Sequence, residues 1–129
     1  MTADYELIAL AAQARAHAYA AYSHYPVGAA LLAKSGRVFT GCNVENASYS
    51  LTICAERAAI AQAVCAGERA FEVIAVVTAN GGTPCGPCRQ VLAEFGLDTR
   101  VLIATPERLV SEHTVGELLP SAFSPKDLP

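Results

Sequence analysis

Apolar positions along this chain recur with two different periods. From Asp4 to about Ala21 the spacing is helical, with Leu7, Ala11, Ala14 and Ala18 on one side of an Ala-rich run. Tyr22 to Pro26 breaks that helix, because a residue preceding proline avoids the α region. Two apolar runs follow, Val27 to Lys34 and Arg37 to Val44, and Ser35-Gly36 between them suits a hairpin turn. Asn43 to Thr52 reads as a polar loop, and a helix is expected from about Cys54 to Ala66, stopped by Gly67. Phe71 to Thr78 is a continuous, β-branched run, the pattern of a strand buried on both faces. Asn80 to Pro84 is a loop, and a helix from about Gly86 to Phe95 ends at Gly96. Val101 to Ala104 predicts another buried strand, Ser111 to Thr114 a short edge strand, and Val115 to Leu119 a short helix. A hairpin followed by strand–helix–strand alternation implies an α/β fold: a mixed sheet of about five strands with helices on its faces.

No repeat, low-complexity stretch or linker interrupts the pattern, so residues 1–129 are expected to form one domain. Hydrophobic residues make up 53% of the chain and charged ones only 16%. Part of that excess can be buried between subunits, since obligate interfaces resemble a core cut in half; Ala-rich helices account for it equally well. The net charge of −3, with its Lys and Arg residues scattered, argues against a surface that tracks nucleic-acid phosphates. No apolar run approaches the ~18 residues of a membrane span. The start, Met1-Thr2-Ala3-Asp4, lacks a basic leader region, so a soluble, cytoplasmic protein is expected.

The cysteines narrow the function. Five is an odd number, which rules out complete pairing within one chain. Cys42 and Cys65 are expected to pack as small hydrophobes. The other three fall in two short runs, Cys54-Ala55-Glu56-Arg57 and Pro84-Cys85-Gly86-Pro87-Cys88. Three thiols, two of them in a C-x-x-C pair, can hold a tetrahedral zinc and leave its fourth position to water. Glu56, two residues after the first ligand, would sit beside that water without binding the metal, as a proton carrier should. Without the cysteines it would read as a solvent-facing helix residue.

Both runs fall where a loop enters a helix, and the positive end of a helix favours thiolates. Three thiolates with Zn²⁺ sum to −1, which weakens the metal as a Lewis acid; the helix ends and Arg57 are two features able to compensate. Arg57 reads equally well as an exposed charge on a helix. A C-x-x-C pair alone also fits a redox site, but such a site needs neither Cys54 nor Glu56.

The pairing of a ligand-x-Glu run with a later P-C-x-x-C is the signature of zinc nucleobase deaminases. With Tyr22-Ser23-His24-Tyr25-Pro26-Val27-Gly28-Ala29-Ala30, Gly41-Cys42-Asn43-Val44-Glu45-Asn46-Ala47-Ser48-Tyr49 and Glu117-Leu118-Leu119-Pro120, the chain resembles the small cytidine deaminases from about Leu7 to Leu128. It looks like their all-cysteine, homotetrameric branch. It departs from the family pattern in having Cys54 where many members have His, and Tyr25 where Phe is usual.

The resemblance implies a three-layer α/β/α sandwich, one zinc per chain, and hydrolytic deamination of cytidine and 2′-deoxycytidine, with Glu56 protonating N3 of the ring. It also implies that Asn43 and Glu45 bind the ribose hydroxyls, that the Tyr25 ring packs on the pyrimidine, and that Ala55 and Tyr49 add substrate contacts. Phe123, and Tyr49 with it, would reach across into a neighbouring subunit's site, and Arg57 would support the thiolates from behind. Read by themselves, Asn43 and Glu45 fit a polar turn capping a strand, and Phe123 fits an ordinary core anchor. His17, His24 and His113 belong to no motif, although His24 adjoins Tyr25. Three other functions remain: a deaminase of a modified cytosine nucleoside, a structural zinc module, and a nucleic-acid-editing deaminase, the last disfavoured by the acidic charge.

Overall fold

A computed structural model describes every residue from Met1 to Pro129. Its strands are β1 (Gly28–Ala33), β2 (Val38–Cys42), β3 (Phe71–Val77), β4 (Arg100–Ala104) and β5 (Leu109–Thr114), and its helices are α1 (Asp4–Arg15), α2 (Ala55–Cys65), α3 (Gly86–Glu94) and the single turn α4 (Val115–Leu118). The strands form one mixed sheet in the order β2-β1-β3-β4-β5. β1 pairs antiparallel with β2 and with β3. β3 and β4 are parallel, as a strand–helix–strand connection through α3 requires, and β5 returns antiparallel to β4.

The period of two along the strands sorts side chains into two cores. Ala30, Leu32, Val73, Ala75, Val77, Leu102 and Ala104 face α1, which meets them with Leu7 and Ala11. Ala29, Leu31, Ile74, Val76, Val101 and Ile103 face the other way, onto Ala59, Ile60 and Ala63 of α2 and Leu92 of α3. β1 and β3 are therefore covered on both faces, which is why β1 reads as an unbroken apolar run and β3 as one interrupted only by the exposed Glu72 near its start. The result is the expected α/β/α sandwich, with α1 on one side and α2 and α3 on the other.

Small residues bring α2 very close to the sheet. Its buried stripe is Ala55, Ala59 and Ala63, at intervals of four. Opposite them lies Gly41 of β2, where an added Cβ would stand 2.5 Å from the Ala55 carbonyl oxygen and 2.6 Å from the Ala59 nitrogen. That contact fixes the first turn of α2, and with it the residues that open the helix.

Three expectations are corrected. α1 stops at Arg15 instead of continuing to about Ala21, because Tyr19 leaves it for the β2 extension: its N–H donates to the Asn43 carbonyl at 2.9 Å, and its own carbonyl accepts from the Glu45 N–H at 2.9 Å. β5 is longer than read from sequence, beginning at Leu109, because pairing with β4 outweighs its exposed, polar composition. Cys65 is exposed at the end of α2 instead of packed, whereas Cys42 is half-buried. No helix is long and apolar enough to cross a membrane.

Candidate active site

The loops entering α2 and α3 bring the two cysteine runs together. Cys54 and Cys85 are the residues immediately before the two helices, both extended in backbone, and Cys88 lies in the first turn of α3. Cys54 Sγ is 3.8 Å from Cys85 Sγ, and Cys85 Sγ is 3.4 Å from Cys88 Sγ. All three sulfurs lie within 4.8 Å of one another. Zn–S bonds of ~2.3 Å at tetrahedral angles separate sulfurs by roughly 3.8 Å, so the cluster has the dimensions of a three-thiolate zinc site. Cys88 is buried and Cys54 half-buried, while Cys85 faces the opening. No fourth Cys or His joins the group.

Charge within the cluster is uneven. The Cys54 thiol is drawn down to about 5, chiefly by a hydrogen bond from Cys88, with Arg57 and Cys85 adding and desolvation opposing. The Cys88 thiol is pushed far up by the same hydrogen bond and by its burial. Arg57 Nη2 donates to Cys54 Sγ at 3.4 Å and to the Thr52 carbonyl at 3.4 Å. Arg57 is thus half-buried, with its guanidinium against the Cys54 sulfur. Its Nε is buried without a protein partner.

Glu56, in the first turn of α2, is 4% exposed. Burial pushes its carboxyl up to about 7, with the Cys54 charge adding and Arg57 opposing. A carboxyl near neutrality can both hold and release a proton at physiological pH.

Cys54, Glu56 and Cys85 line a cavity of about 270 Å³, together with Tyr25, Asn43, Glu45 and Thr78. Next to it is a cavity of about 420 Å³, lined by Tyr22, Ser23, Glu45, Tyr49 and Thr52. Ser23, Glu45 and Thr52 belong to both walls. Glu45 holds the segment before β1: its Oε1 accepts from the Tyr22 and Ser23 N–H groups at 2.9 and 3.0 Å, and its Oε2 accepts from the Ser23 hydroxyl. These bonds, the Ser23 hydroxyl first, keep its carboxyl below the usual range. Asn43 Oδ1 accepts from the Val27 N–H at 2.9 Å, and its Nδ2 donates to the Tyr25 carbonyl at 3.0 Å. Both residues thus do what a polar turn does while also bordering the cavity.

The remaining expected residues divide. Tyr25 lines the inner cavity and Tyr49 the outer one, where its ring meets Tyr22 edge-on at 6.2 Å. The Ala55 side chain is fully buried in the α2 core, so any contact it makes with a ligand runs through its backbone. Phe123 lines neither cavity; it is 58% exposed beyond α3, its carbonyl accepting from Gln90. Sequence reasoning missed Ser23, Thr52, Thr78 and Asn80. Asn80 accepts a hydrogen bond from the Tyr25 hydroxyl at 2.6 Å. The signal for such a residue was the Tyr25 hydroxyl itself, which needs a partner wherever it is partly buried.

The site is that of a zinc hydrolase: an open cluster of three cysteines beside a buried carboxyl. Residues 1–105 match the family described as "Cytidine and deoxycytidylate deaminase zinc-binding region". A cytidine deaminase of Sporosarcina psychrophila is 49% identical over 126 residues, covering 95% of this chain and 93% of that protein. The crystal structure of cytidine deaminase from Burkholderia pseudomallei superposes with a TM-score of 0.90 at 47% identity, over 95% of this chain and all (100%) of that one. That of the Mycobacterium tuberculosis cytidine deaminase gives 0.81 at 43% identity, over 95% and 98% of the two chains. The chain belongs to the cytidine and deoxycytidylate deaminase family, and its metal is zinc.

Proposed function

We propose that this chain catalyses the hydrolytic deamination of cytidine and 2′-deoxycytidine to uridine and 2′-deoxyuridine, a step of pyrimidine salvage, with residues 1–129 acting as one catalytic domain in the cytoplasm. The observation that carries the reading is the buried Glu56 carboxyl, poised at about 7 beside three convergent thiols in a cavity. Cys54, Cys85 and Cys88 hold the zinc, which when bound supplies the Lewis acidity that makes water a nucleophile near neutral pH.

The chain's own groups do the rest. Glu56 accepts a proton from the attacking water and passes it to N3 of the ring. It then takes the remaining proton from the hydroxyl added at C4 and delivers it to the exocyclic amine, so that the C4–N bond breaks as C4=O forms. One water is consumed and one ammonia released. Arg57, held on Cys54, balances part of the thiolate charge. The Tyr25 ring offers an aromatic face to the base. Asn43 retains one amide hydrogen and one lone pair beyond its two bonds within the chain, and Glu45, which already accepts three hydrogen bonds, retains one lone pair on Oε2, enough to bind ribose hydroxyls. Ala55 contributes through its backbone.

The active form is a homotetramer in which Tyr49 and Phe123 complete a neighbour's site. Supporting this, Tyr19, Tyr22, Val44, Tyr49, Leu51 and Ile53 are all more than 40% exposed on the segments bordering the cavities. Tyr19, Val44 and Ile53 are neighbours across short β-bridges, so the apolar surface is continuous.

Ultraviolet absorbance tests the function. Purified protein should turn over cytidine and deoxycytidine, and turn over CMP poorly, because no Lys or Arg lines either cavity. Glu56→Gln should retain zinc and lose about 10²–10⁴-fold in turnover. Full zinc with no turnover of any cytosine nucleoside would favour a structural metal module. Turnover confined to a modified nucleoside would reassign the substrate. Unchanged turnover in Glu56→Gln would remove the proton-carrier role.

A further inference from the structure

The pocket that receives the base, on the reading above, has two walls from distant parts of the chain. One is the Tyr22–Val27 segment leading into β1, carrying Tyr25. The other is the loop from Asn80 to Pro84, which ends at the zinc ligand Cys85. A single side-chain hydrogen bond spans them, from the Tyr25 hydroxyl to Asn80 Oδ1 at 2.6 Å.

Each end of that bond is anchored. On the Tyr25 side, its N–H donates to Ser23 Oγ at 3.0 Å and its carbonyl accepts from Asn43. On the loop side, Thr78 Oγ1 at the end of β3 accepts from the Gly81 and Gly82 N–H groups at 2.8 and 2.9 Å. Arg89 braces the far end through the Pro84 carbonyl at 2.7 Å and Thr83 Oγ1 at 3.1 Å. Gly82 lies directly on the tyrosine: a Cβ there would stand 2.5 Å from the Tyr25 hydroxyl oxygen. A side chain at residue 82 would therefore push the Tyr25 hydroxyl away from the loop.

We propose that Tyr25 and Asn80 form a latch fixing the distance between the two walls of the base pocket, which makes Asn80 a positioning residue for the Tyr25 ring. The inference rests on the deaminase reading of the cavity. A phenylalanine at position 25 would supply the same aromatic face but leave the Asn80–Pro84 loop without its tie. The latch acts on the geometry of binding and leaves the proton transfers at Glu56 untouched, so it should be read in KM more than in kcat.

The test is a double-mutant cycle on the zinc-loaded protein, using Tyr25→Phe, Asn80→Ala and their combination, with Asn80→Asp as the conservative variant. One net hydrogen bond corresponds to about a two- to tenfold effect, so each single variant should raise KM for cytidine by about that factor with kcat nearly unchanged. Because both remove the same bond, the double variant should be no worse than either single one. Asn80→Asp keeps an acceptor oxygen and should stay within about twofold of wild type. The dissociation constant for uridine, measured by calorimetry, should shift with KM. Full additivity, an unchanged KM in Tyr25→Phe, or an Asp variant as impaired as the Ala variant would each overturn the latch while leaving the deaminase reading intact. A wild type that neither binds nor turns over cytosine nucleosides would overturn both.

Discussion

Replacing Glu56 with Gln should stabilise the zinc-free protein relative to wild type, by an amount that grows with pH. Burial lifts this carboxyl from an ordinary value of 4.5 to about 7. Between those values the folded chain keeps a proton that the unfolded chain has released, so folding weakens as pH rises through the window. Each pKa unit is worth about 1.36 kcal/mol, which makes the full penalty roughly 3 kcal/mol once the pH exceeds about 7. Below the unfolded value the penalty vanishes. Gln has the same shape and no charge, and carries none of it.

Cys54 tilts the profile the other way. Its folded value is depressed from 9.0 to about 5, so it contributes stability that is present above the unfolded value and is lost as pH falls through the folded one. Both proteins contain Cys54, so its contribution largely cancels in their difference. The assay is urea unfolding of chelator-treated, reduced wild type and Glu56→Gln across about pH 4.5 to 8. The stability gap should open between about 4.5 and 7 and then level off near 3 kcal/mol. A gap that does not change with pH would refute the claim that the folded chain desolvates this carboxyl.

Three further outcomes are expected. Elemental analysis should find about one zinc per chain in wild type and little in Cys85→Ala; equal zinc in the two would remove Cys85 from the ligand set. Gly41→Ala should cost about 1–3 kcal/mol in urea unfolding, because its Cβ meets the backbone of α2 at 2.5 Å and cannot be relieved by a side-chain rotation; wild-type stability would show that α2 yields freely. Mixing inactive Glu56→Gln with Phe123→Ala should partly restore turnover, since hybrid sites combine an intact Glu56 with an intact Phe123; no recovery despite demonstrated subunit exchange would mean that each chain's site is self-contained.

The parts of this fold that were legible in the sequence are those set by short-range pattern. The buried runs of β1 and β3, the turn at Ser35-Gly36 and the starts of α2 and α3 all follow from periodicity and local breakers. The convergence of the three cysteines was legible for a similar reason: thiols at two helix entrances leave a signature in spacing alone. What escaped depends on contacts between distant residues. The Ala-rich stretch beyond Arg15 has good helical propensity, yet Tyr19 is taken by Asn43 and Glu45, more than 20 residues away. Asn80 carries no local mark of a role, because its partner Tyr25 lies 55 positions earlier. Asn43 and Glu45 were visible as polar residues of a turn, but that their carboxylate and amide brace the Tyr22–Val27 segment required the folded chain.

The cysteines at the entrances of α2 and α3 also have a topological consequence. Cys54 and Cys85 are 31 positions apart, with all of α2 and β3 between them. A metal held by both therefore closes a loop containing a helix and the central strand, and the chain entropy of that closure is a cost borne in advance by the bound ion. Zinc should accordingly act as a staple as well as a reagent. A chain that loses it gives up catalysis and, at the same time, a cross-link between two of its three outer helices. Inactive molecules would then be the ones most prone to unfold, so that the population still folded is enriched in the population still active.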